Sequence, residues 1–205
     1  MPVQRGYRQA CGVARGLDIV GERWSLLVVR ELLLGPKRFT DLQQALPTAS
    51  PNALSDRLRE LTDAGVVHRG RRYELTPWGR ELEPIVIALG TWALASPPTA
   101  EQVFVSADSV MLAIRTYFRP SPDRPATTLR IELRDHGPAG TFGVHLTPSG
   151  AELSHTPPAA PDAVLTTTTP AFLTALGRPT PPPTATITGD PAAVSHLLRS
   201  VHFPG

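Results

Sequence analysis

The segment from Ser50 to Leu61 constrains the fold of this chain more than any other part of the sequence. Ser50 is a favourable N-cap, and Pro51 is favoured at the first helical position, so the two residues together predict a helix start. Leu54, Leu58 and Leu61 recur on one side of this helix and are expected to pack inward.

The opposite side of the predicted helix has the chemistry of a DNA-reading surface. It carries Asn52, Ser55, Asp56 and Arg59. Asparagine makes bidentate bonds to adenine and arginine to guanine, while serine hydroxyls and N-terminal amides suit phosphate. From this helix alone, an ordinary solvated face is an equally good interpretation.

A basic hairpin is predicted directly after this helix. Gly65 ends the helix, and residues 66–75 form two short strands that turn at Gly70, beside Arg69, Arg71 and Arg72. Arginines at such a turn contact phosphates or the minor groove. A recognition helix followed by this hairpin predicts a winged helix-turn-helix.

Further helices are predicted on both sides of this core. Apolar spacing from Cys11 to Leu34 indicates two amphipathic helices that are separated at Gly21. Thr40 is expected to cap a short helix, residues 41–46. Thr76 and Pro77 are expected to begin one last helix. Its apolar stripe, formed by Leu82, Ile85, Leu89 and Trp92, is longer than the core of one small domain requires.

Taken together, these residues resemble the HxlR-type winged helix-turn-helix regulators, which are relatives of the MarR regulators. The matching stretch runs from about Cys11 to Trp92, and its motifs are Leu17 to Gly21, Trp24 to Leu27, Arg30 to Leu32, Gly35 to Leu42, Ser50 to Leu61, and Tyr73 to Pro77 with Gly79. The resemblance implies a homodimer built from terminal helices and a near-palindromic duplex DNA operator with half-sites about 34 Å apart. The wing is shorter than is usual in that family.

The sequence predicts a set of DNA-binding residues from these motifs. The set combines the recognition helix, its cap, the wing and the segment before the short third helix: Lys37, Arg38, Thr40, Ser50, Asn52, Ser55, Asp56, Arg59, Arg69, Arg71 and Arg72.

Cys11 is the only cysteine, which excludes an intramolecular disulfide and a cysteine-rich zinc site. The resemblance makes it a redox-sensing candidate, because several family members carry a sensing thiol there. Arg8 and Arg15 are near in sequence, and cations lower a thiol pKa. Sensing would require an intermolecular or mixed disulfide. A buried apolar thiol at a dimer interface is the other interpretation.

The sequence changes character after about Ser96, where proline and threonine become frequent. We therefore predict a winged helix-turn-helix domain over residues 1–95, a semi-rigid linker over 96–107 and a second domain over 108–205. The second domain is predicted to have a first helix over residues 109–118, five strands, and two short helices that begin near Pro170 and Pro191, with Thr169 and Asp190 as caps.

This second half resembles the sterol-carrier-protein type of domain, on the residues 162–166 and 185–193. The resemblance implies a curved sheet covered by helices around an apolar pocket, with a hydrophobic small-molecule effector as ligand. A filled core that only stiffens or dimerises the protein is the alternative, because both have apolar linings. The predicted fold class is α+β, with a mostly helical winged helix-turn-helix domain followed by an α+β sterol-carrier-like domain.

Composition narrows the function classes. Residues 1–99 carry 13 Lys and Arg against 10 Asp and Glu, whereas the remainder carries 7 against 8, so the basic excess lies in the first half. Neither a membrane span nor a signal peptide is recognisable, which predicts a cytoplasmic protein without a membrane partner. The six histidines are scattered, and no phosphate loop or nucleophile elbow is present, so we expect no enzyme, metal or cofactor.

Two functions remain from the sequence. The first is a homodimeric, sequence-specific transcriptional regulator, controlled by a hydrophobic small molecule, by oxidation of Cys11, or by neither. The second is a lipid-binding or hydrophobic-ligand-binding protein in which the helix-turn-helix serves only dimerisation.

Overall fold

In the computed structural model, the described residues are 6–96, 99, 104–121 and 125–203. The chain divides into two compact units, Met1–Ala95 and Ser96–Gly205. Half of the predicted linker, residues 97, 98 and 100–103, lies outside the described residues, so its semi-rigid character stays a prediction.

The first unit is helical apart from one hairpin. Its elements are α1 (Gly12–Val20), α2 (Ser25–Leu32), α3 (Phe39–Ala45), α4 (Pro51–Asp63), β1 (Val67–Arg69), β2 (Tyr73–Leu75), α5 (Pro77–Arg80) and α6 (Glu83–Ala93). The predicted break at Gly21, the helix from Pro51 and the hairpin at Gly70 are confirmed. α2 ends two residues earlier than expected, at Leu32.

The core of the first unit lies between α2, α3 and α4. The fully buried side chains that fill it are Val28, Val29, Leu32, Leu42, Leu54 and Leu61. Leu54, Leu58 and Leu61 are buried as predicted, and burial of each leucine contributes about 1.5–3 kcal/mol. This apolar face fixes which side of α4 is left to the solvent.

Two glycines allow the chain to turn from α4 into the hairpin and back. Gly65 has φ +77°, a left-handed conformation that ends α4 at little steric cost. A side chain on Gly79 would come within 2.1 Å of the Val66 carbonyl oxygen, so glycine allows α5 to pack on the hairpin.

The third helix begins earlier than the sequence predicts. α3 starts at Phe39, so Thr40 lies in its first turn and is not the cap. The N-cap is Arg38, whose backbone N–H donates to Asp41 Oδ2 at 2.8 Å. The carboxylate of Asp41 supplies the capping interaction that threonine was expected to provide.

The last predicted helix of the first unit is two helices. Thr76 Oγ1 accepts from the Gly79 N–H at 2.9 Å and caps α5 as expected, but α5 ends at Arg80. Pro84 cannot donate to the carbonyl four residues before it, and its ring crowds that carbonyl, so a single helix cannot continue through it. Pro84 instead occupies the first turn of α6.

The second unit contains a five-stranded sheet and three helices. Its elements are α7 (Ala107–Tyr117), β3 (Thr127–Leu133), a 3-10 segment (Arg134–Gly140), β4 (Thr141–Thr147), β5 (Gly150–Ser154), β6 (Ala163–Thr167), α8 (Thr169–Ala175), β7 (Thr186–Gly189) and α9 (Pro191–Arg199). The strand order is β5-β4-β3-β6-β7. β3 and β6 are parallel, with Leu129 opposite Ala163, and the other pairs are antiparallel. The α+β prediction is confirmed.

Helix starts in the second unit differ from the prediction at two positions. α7 begins at Ala107 because the Ser106 hydroxyl accepts from the Ser109 N–H at 3.3 Å. The N-cap of α8 is Thr168 and not Thr169, whose N–H instead donates to Asp135 Oδ1 at 2.9 Å. Asp190 caps α9 as predicted.

The core of the second unit lies between the sheet and its helices. α9 packs on β3 and β6, and α7 packs on β5. The largest fully buried side chains are Phe142, Phe172, Met111, Ile114, Leu129, Ile131 and Leu133. The partly buried His155 borders this core: its Nε2 lies 2.9 Å from Oδ2 of the buried Asp108, and its ring packs on Phe142.

Candidate nucleic-acid interface

The exposed side of α4 presents the predicted base-reading residues. The Ser50 hydroxyl accepts from the Ala53 N–H at 3.2 Å and fixes the helix start. With the leucines directed inward, Asn52, Ser55, Asp56 and Arg59 are all exposed. The side chains that the sequence placed on this face therefore share it in the structure.

Two ion pairs stand on α4. Arg59 Nη2 donates to Asp56 Oδ1 at 2.9 Å, with side chains 64% and 53% exposed. Arg57 pairs with Glu60, and its guanidinium is largely covered. Arg59 is therefore the arginine of α4 that is open to a partner, although a carboxylate of its own helix holds it.

The wing places three arginines beside this helix. Arg69 is opposite Tyr73 in the hairpin, and its guanidinium lies 5.8 Å from the centre of the Tyr73 ring. Arg71 and Arg72 follow in the turn, and all three arginines are exposed. Arg72 Nη1 also donates to the Pro36 carbonyl at 3.4 Å, a long contact.

The helix and the wing form one concave surface. An open groove of about 440 Å³ runs between them, lined by Phe39, Ser55, Leu58, Arg59, Thr62, Asp63, Arg69 and Tyr73. Arg59 from α4 and Arg69 from β1 line the same groove, so a residue predicted to read bases adjoins one predicted to bind phosphate.

Lys37 differs from the other predicted DNA contacts because its side chain is buried. Lys37 Nζ lies 2.7 Å from Oε2 of the fully buried Glu31, and Arg30 binds Oε1 of the same carboxylate through Nη2 at 2.7 Å. The Lys37 backbone also pairs with Tyr73, by N–H to carbonyl bonds of 3.0 and 2.8 Å. Lys37 thus ties the wing to α2.

Glu31 and Tyr73 support the wing through Lys37, and the sequence analysis did not assign either residue a role. Glu31 falls on the buried side of α2, where a carboxylate requires a partner, and the basic residues Arg30 and Lys37 lie one position before it and six positions after it. The sequence thus shows a buried carboxylate with two basic residues close by, but it does not show which of them binds each carboxylate oxygen.

Arg38 and Thr40 lie next to Lys37 and are both exposed, Arg38 at the N-cap of α3 and Thr40 in its first turn. Both side chains therefore extend into solvent at the N-terminus of a helix, where backbone N–H groups favour an anion such as phosphate.

Cys11 lies apart from this groove, at the N-cap of α1, and it is exposed. Interaction with the backbone N–H of Ala14, and to a smaller extent of Val13, lowers the pKa of the Cys11 thiol below its usual value. The cause is therefore the start of the helix and not Arg8 or Arg15, as the sequence analysis expected. Cys11 is open to solvent in the single chain, so its burial at a dimer interface stays a prediction beside redox sensing.

Two further surface features belong to the first unit. The apolar side chains Val13, Leu17, Ile85, Leu89 and Trp92 are exposed on α1 and α6. α6, which is described throughout, has no buried residue. The described helices include none long and apolar enough to cross a membrane.

Comparison with known proteins identifies the family of the first unit. Residues 19–99 match the model of the HxlR-like helix-turn-helix family. A Bacillus subtilis protein, YvaP, named an uncharacterized HTH-type transcriptional regulator, is 39% identical over 87 residues, which are 38% of this chain and 81% of YvaP. The chain belongs to the HxlR-like helix-turn-helix family.

Other relatives agree in name. YybR of Bacillus subtilis, also named an uncharacterized HTH-type transcriptional regulator, is 33% identical over 93 residues, covering 42% of this chain and 74% of YybR. A solved structure of the redox regulator HypR in its oxidized form is 32% identical, with a TM-score of 0.42, and the alignment covers 43% of this chain and 100% of that chain. The residues that match the family model end at 99, so the sterol-carrier-like identity of the second unit stays a prediction.

Proposed function

We propose that this protein binds a near-palindromic duplex DNA sequence as a homodimer and regulates transcription there. The observation that carries the proposal is the concave surface shared by α4 and the wing, on which Arg59 and Arg69 line one groove. In this proposal α4 enters the major groove and the wing arginines bind the flanking phosphates.

Membership of the HxlR-like family and the names of its relatives support the general function. The protein is a DNA-binding transcriptional regulator. We assign it to the cytoplasm, where the DNA of bacteria such as Bacillus subtilis lies.

The roles of the individual residues follow from their chemistry and exposure. Asn52 and Arg59 are the proposed base readers, since their side chains match adenine and guanine edges. The proposed phosphate contacts are the exposed residues around them: Arg38, Thr40, Ser50, Ser55, Arg69, Arg71 and Arg72. We assign Lys37 to holding the wing and not to phosphate.

The exposed apolar faces of α1 and α6 support the homodimer. Trp92 on α6 is 76% exposed and Val13 on α1 is 72% exposed, and large apolar side chains left open on a helix mark an interaction surface. A second copy covers such a surface symmetrically, since most homodimers use the same patch on both chains. The two-fold axis then requires a near-palindromic operator with half-sites about 34 Å apart.

Two forms of control are part of the proposal. Oxidation of Cys11 is favoured by its exposure and by the lowered pKa of its thiol, which raises the thiolate fraction available for an intermolecular disulfide. A hydrophobic small molecule in the second unit is favoured by the coarse architecture alone, a five-stranded sheet with helices packed on it.

The effector is tested by thermal shift of the full-length protein with fatty acids and aromatic metabolites as probes. Stabilisation by one class, together with a change in DNA affinity, supports this route, because a ligand alters DNA binding only if it binds the two states unequally. Absence of stabilisation by every class removes the effector from the proposal.

The main test is selection of bound sequences from a random duplex library by the full-length protein at two salt concentrations. We expect an enriched near-palindrome whose binding weakens as salt rises. Arg59→Ala should weaken binding to that sequence by about 1–3 kcal/mol. Arg80→Ala, an exposed arginine outside the α4 and wing surface, is the matched control and should have little effect. Salt-dependent binding without enrichment would contradict sequence-specific regulation and favour the lipid-binding alternative.

A further inference from the structure

The ion pair between Asp56 and Arg59 stands among the proposed base readers. Arg59 Nη2 lies 2.9 Å from Asp56 Oδ1, and both side chains are more than half exposed. Exposed pairs of this kind contribute little to folding stability because water screens them and two side chains lose freedom. The pair therefore calls for a reason other than stability, and it faces the side of α4 that meets DNA in the proposed function.

The charge of α4 makes a carboxylate at this place unfavourable for general DNA binding. The helix Pro51–Asp63 carries two arginines and three acidic residues. Arg57 is occupied by Glu60 and is mostly covered. A helix with this balance has no net attraction for a polyanion, and a carboxylate that approaches base edges is tolerated only where it accepts a hydrogen bond.

We infer that Asp56 is a specificity-determining residue that acts with Arg59 as one reading unit, an inference that rests on the proposed function. Arg59 donates two hydrogen bonds to O6 and N7 of a guanine, while Asp56 accepts one from the amino group of a cytosine or adenine at the adjacent position. The ion pair holds the guanidinium in place before DNA arrives, so less side-chain freedom is lost on binding.

The same geometry defines what Asp56 excludes. A guanine or thymine that presents O6, N7 or O4 to Asp56 places an acceptor against a carboxylate, which can only accept. The unit thus rejects bases by repulsion as well as selecting them by bonding, and repulsion of this type is a common source of specificity.

The experiment compares full-length wild type with Asp56→Ala and Asp56→Asn in random-duplex selection, and each protein is also titrated with one non-specific duplex. We expect wild type to enrich a guanine beside a cytosine or adenine. In Asp56→Ala the preference for cytosine or adenine at the adjacent position should fall about tenfold, while the preference for guanine at the Arg59 position is kept. Asp56→Asn should also admit guanine or thymine there, because an amide donates as well as accepts.

Glu60→Ala is the matched control, since it removes the same charge from the same helix and also breaks an i,i+3 ion pair. It should raise non-specific affinity severalfold, as Asp56→Ala does, and leave the base preference unchanged. Near-ultraviolet circular dichroism and tryptophan fluorescence establish that each variant is folded.

Three results overturn the inference. Unchanged base preference in both Asp56 variants, with a wild type that does enrich a sequence, overturns this inference and leaves the proposed function standing. Loss of the same preference in Glu60→Ala shows a general charge effect and also overturns it. A wild type that enriches no sequence overturns the proposed function and this inference together.

Discussion

Replacing Lys37 with methionine is expected to destabilise the first unit and not to remove a phosphate contact. Lys37 is 7% exposed, and its ammonium lies 2.7 Å from Oε2 of the fully buried Glu31. Methionine preserves the aliphatic stem but leaves the buried carboxylate with less compensation. Breaking a buried pair from one side costs about 3–5 kcal/mol. Arg30 still binds the other oxygen of Glu31, so we expect the lower end, about 3 kcal/mol.

Tryptophan fluorescence measures this loss in the first unit alone, because Trp24, Trp78 and Trp92 all lie there and the chain has no other tryptophan. For a unit of this size 1 kcal/mol corresponds to about 4–8 °C in Tm, so the loss should reach about 12 °C or more. The control is the double variant Glu31→Gln, Lys37→Met, which removes the buried carboxylate together with the ammonium and leaves the partly exposed Arg30 without that charged partner. It should recover much of the lost stability.

The reasoning is refuted by one specific pair of results. If Lys37→Met unfolds at the wild-type temperature, the buried ion pair has no structural importance. If the slope of log K for DNA binding against log salt concentration also becomes shallower by about 0.9 per protomer, Lys37 is a phosphate contact, as its sequence position first indicated.

Three further predictions concern other parts of the chain. The lowered pKa of Cys11 means that its alkylation by iodoacetamide should persist at pH values where an ordinary thiol is protonated, and a rate profile equal to that of free cysteine would contradict this. Leu89→Glu should give a monomer in sedimentation, since it places a charge on the exposed apolar face of α6, whereas an unchanged dimer would locate the interface elsewhere. Thr128 donates to Asp162 through its backbone N–H at 2.7 Å and its hydroxyl at 2.9 Å, and both bonds lower the pKa of that carboxyl. The Asp162 carboxylate therefore contributes folding stability above its unfolded pKa, and this contribution is lost as pH falls through the lower folded pKa. Asp162→Asn should remove this contribution to the pH dependence of the free energy of unfolding, measured by denaturant titrations at several pH values.

Local signals predicted most of the first unit. The Ser50 cap, the leucine spacing and Gly65 act within one or two turns of chain, so α4 and its exposed face could be derived from neighbouring residues alone. The break before α6 was also available, since Pro84 stands inside the predicted helix. The apolar stripe indicates one continuous helix, but Pro84 divides it into α5 and α6.

Contacts between distant residues could not be derived in this way. Lys37 sits in a basic, loop-like stretch that resembles a phosphate contact, and only the fold brings it against Glu31 and Tyr73. His155 gives a similar case in the second unit, where its partner Asp108 is 47 positions away. Sequence spacing predicts the faces of helices, but it does not predict which polar side chains become partners in the folded protein.

The resulting surface separates affinity from specificity in physical terms. α4 has no excess of positive charge, so the salt-dependent attraction must come chiefly from the exposed arginines around it: Arg38, Arg69, Arg71 and Arg72. Four such contacts per protomer account for a salt slope of at most about 3.6. In the proposed function those arginines bind phosphate and therefore attract any duplex, so discrimination among sequences is left to the nearly neutral face of α4. Because α4 contributes little to general affinity for DNA, an acidic side chain on it removes little of that affinity. A carboxylate such as Asp56 can therefore stand at the centre of the proposed DNA-binding surface and discriminate among bases.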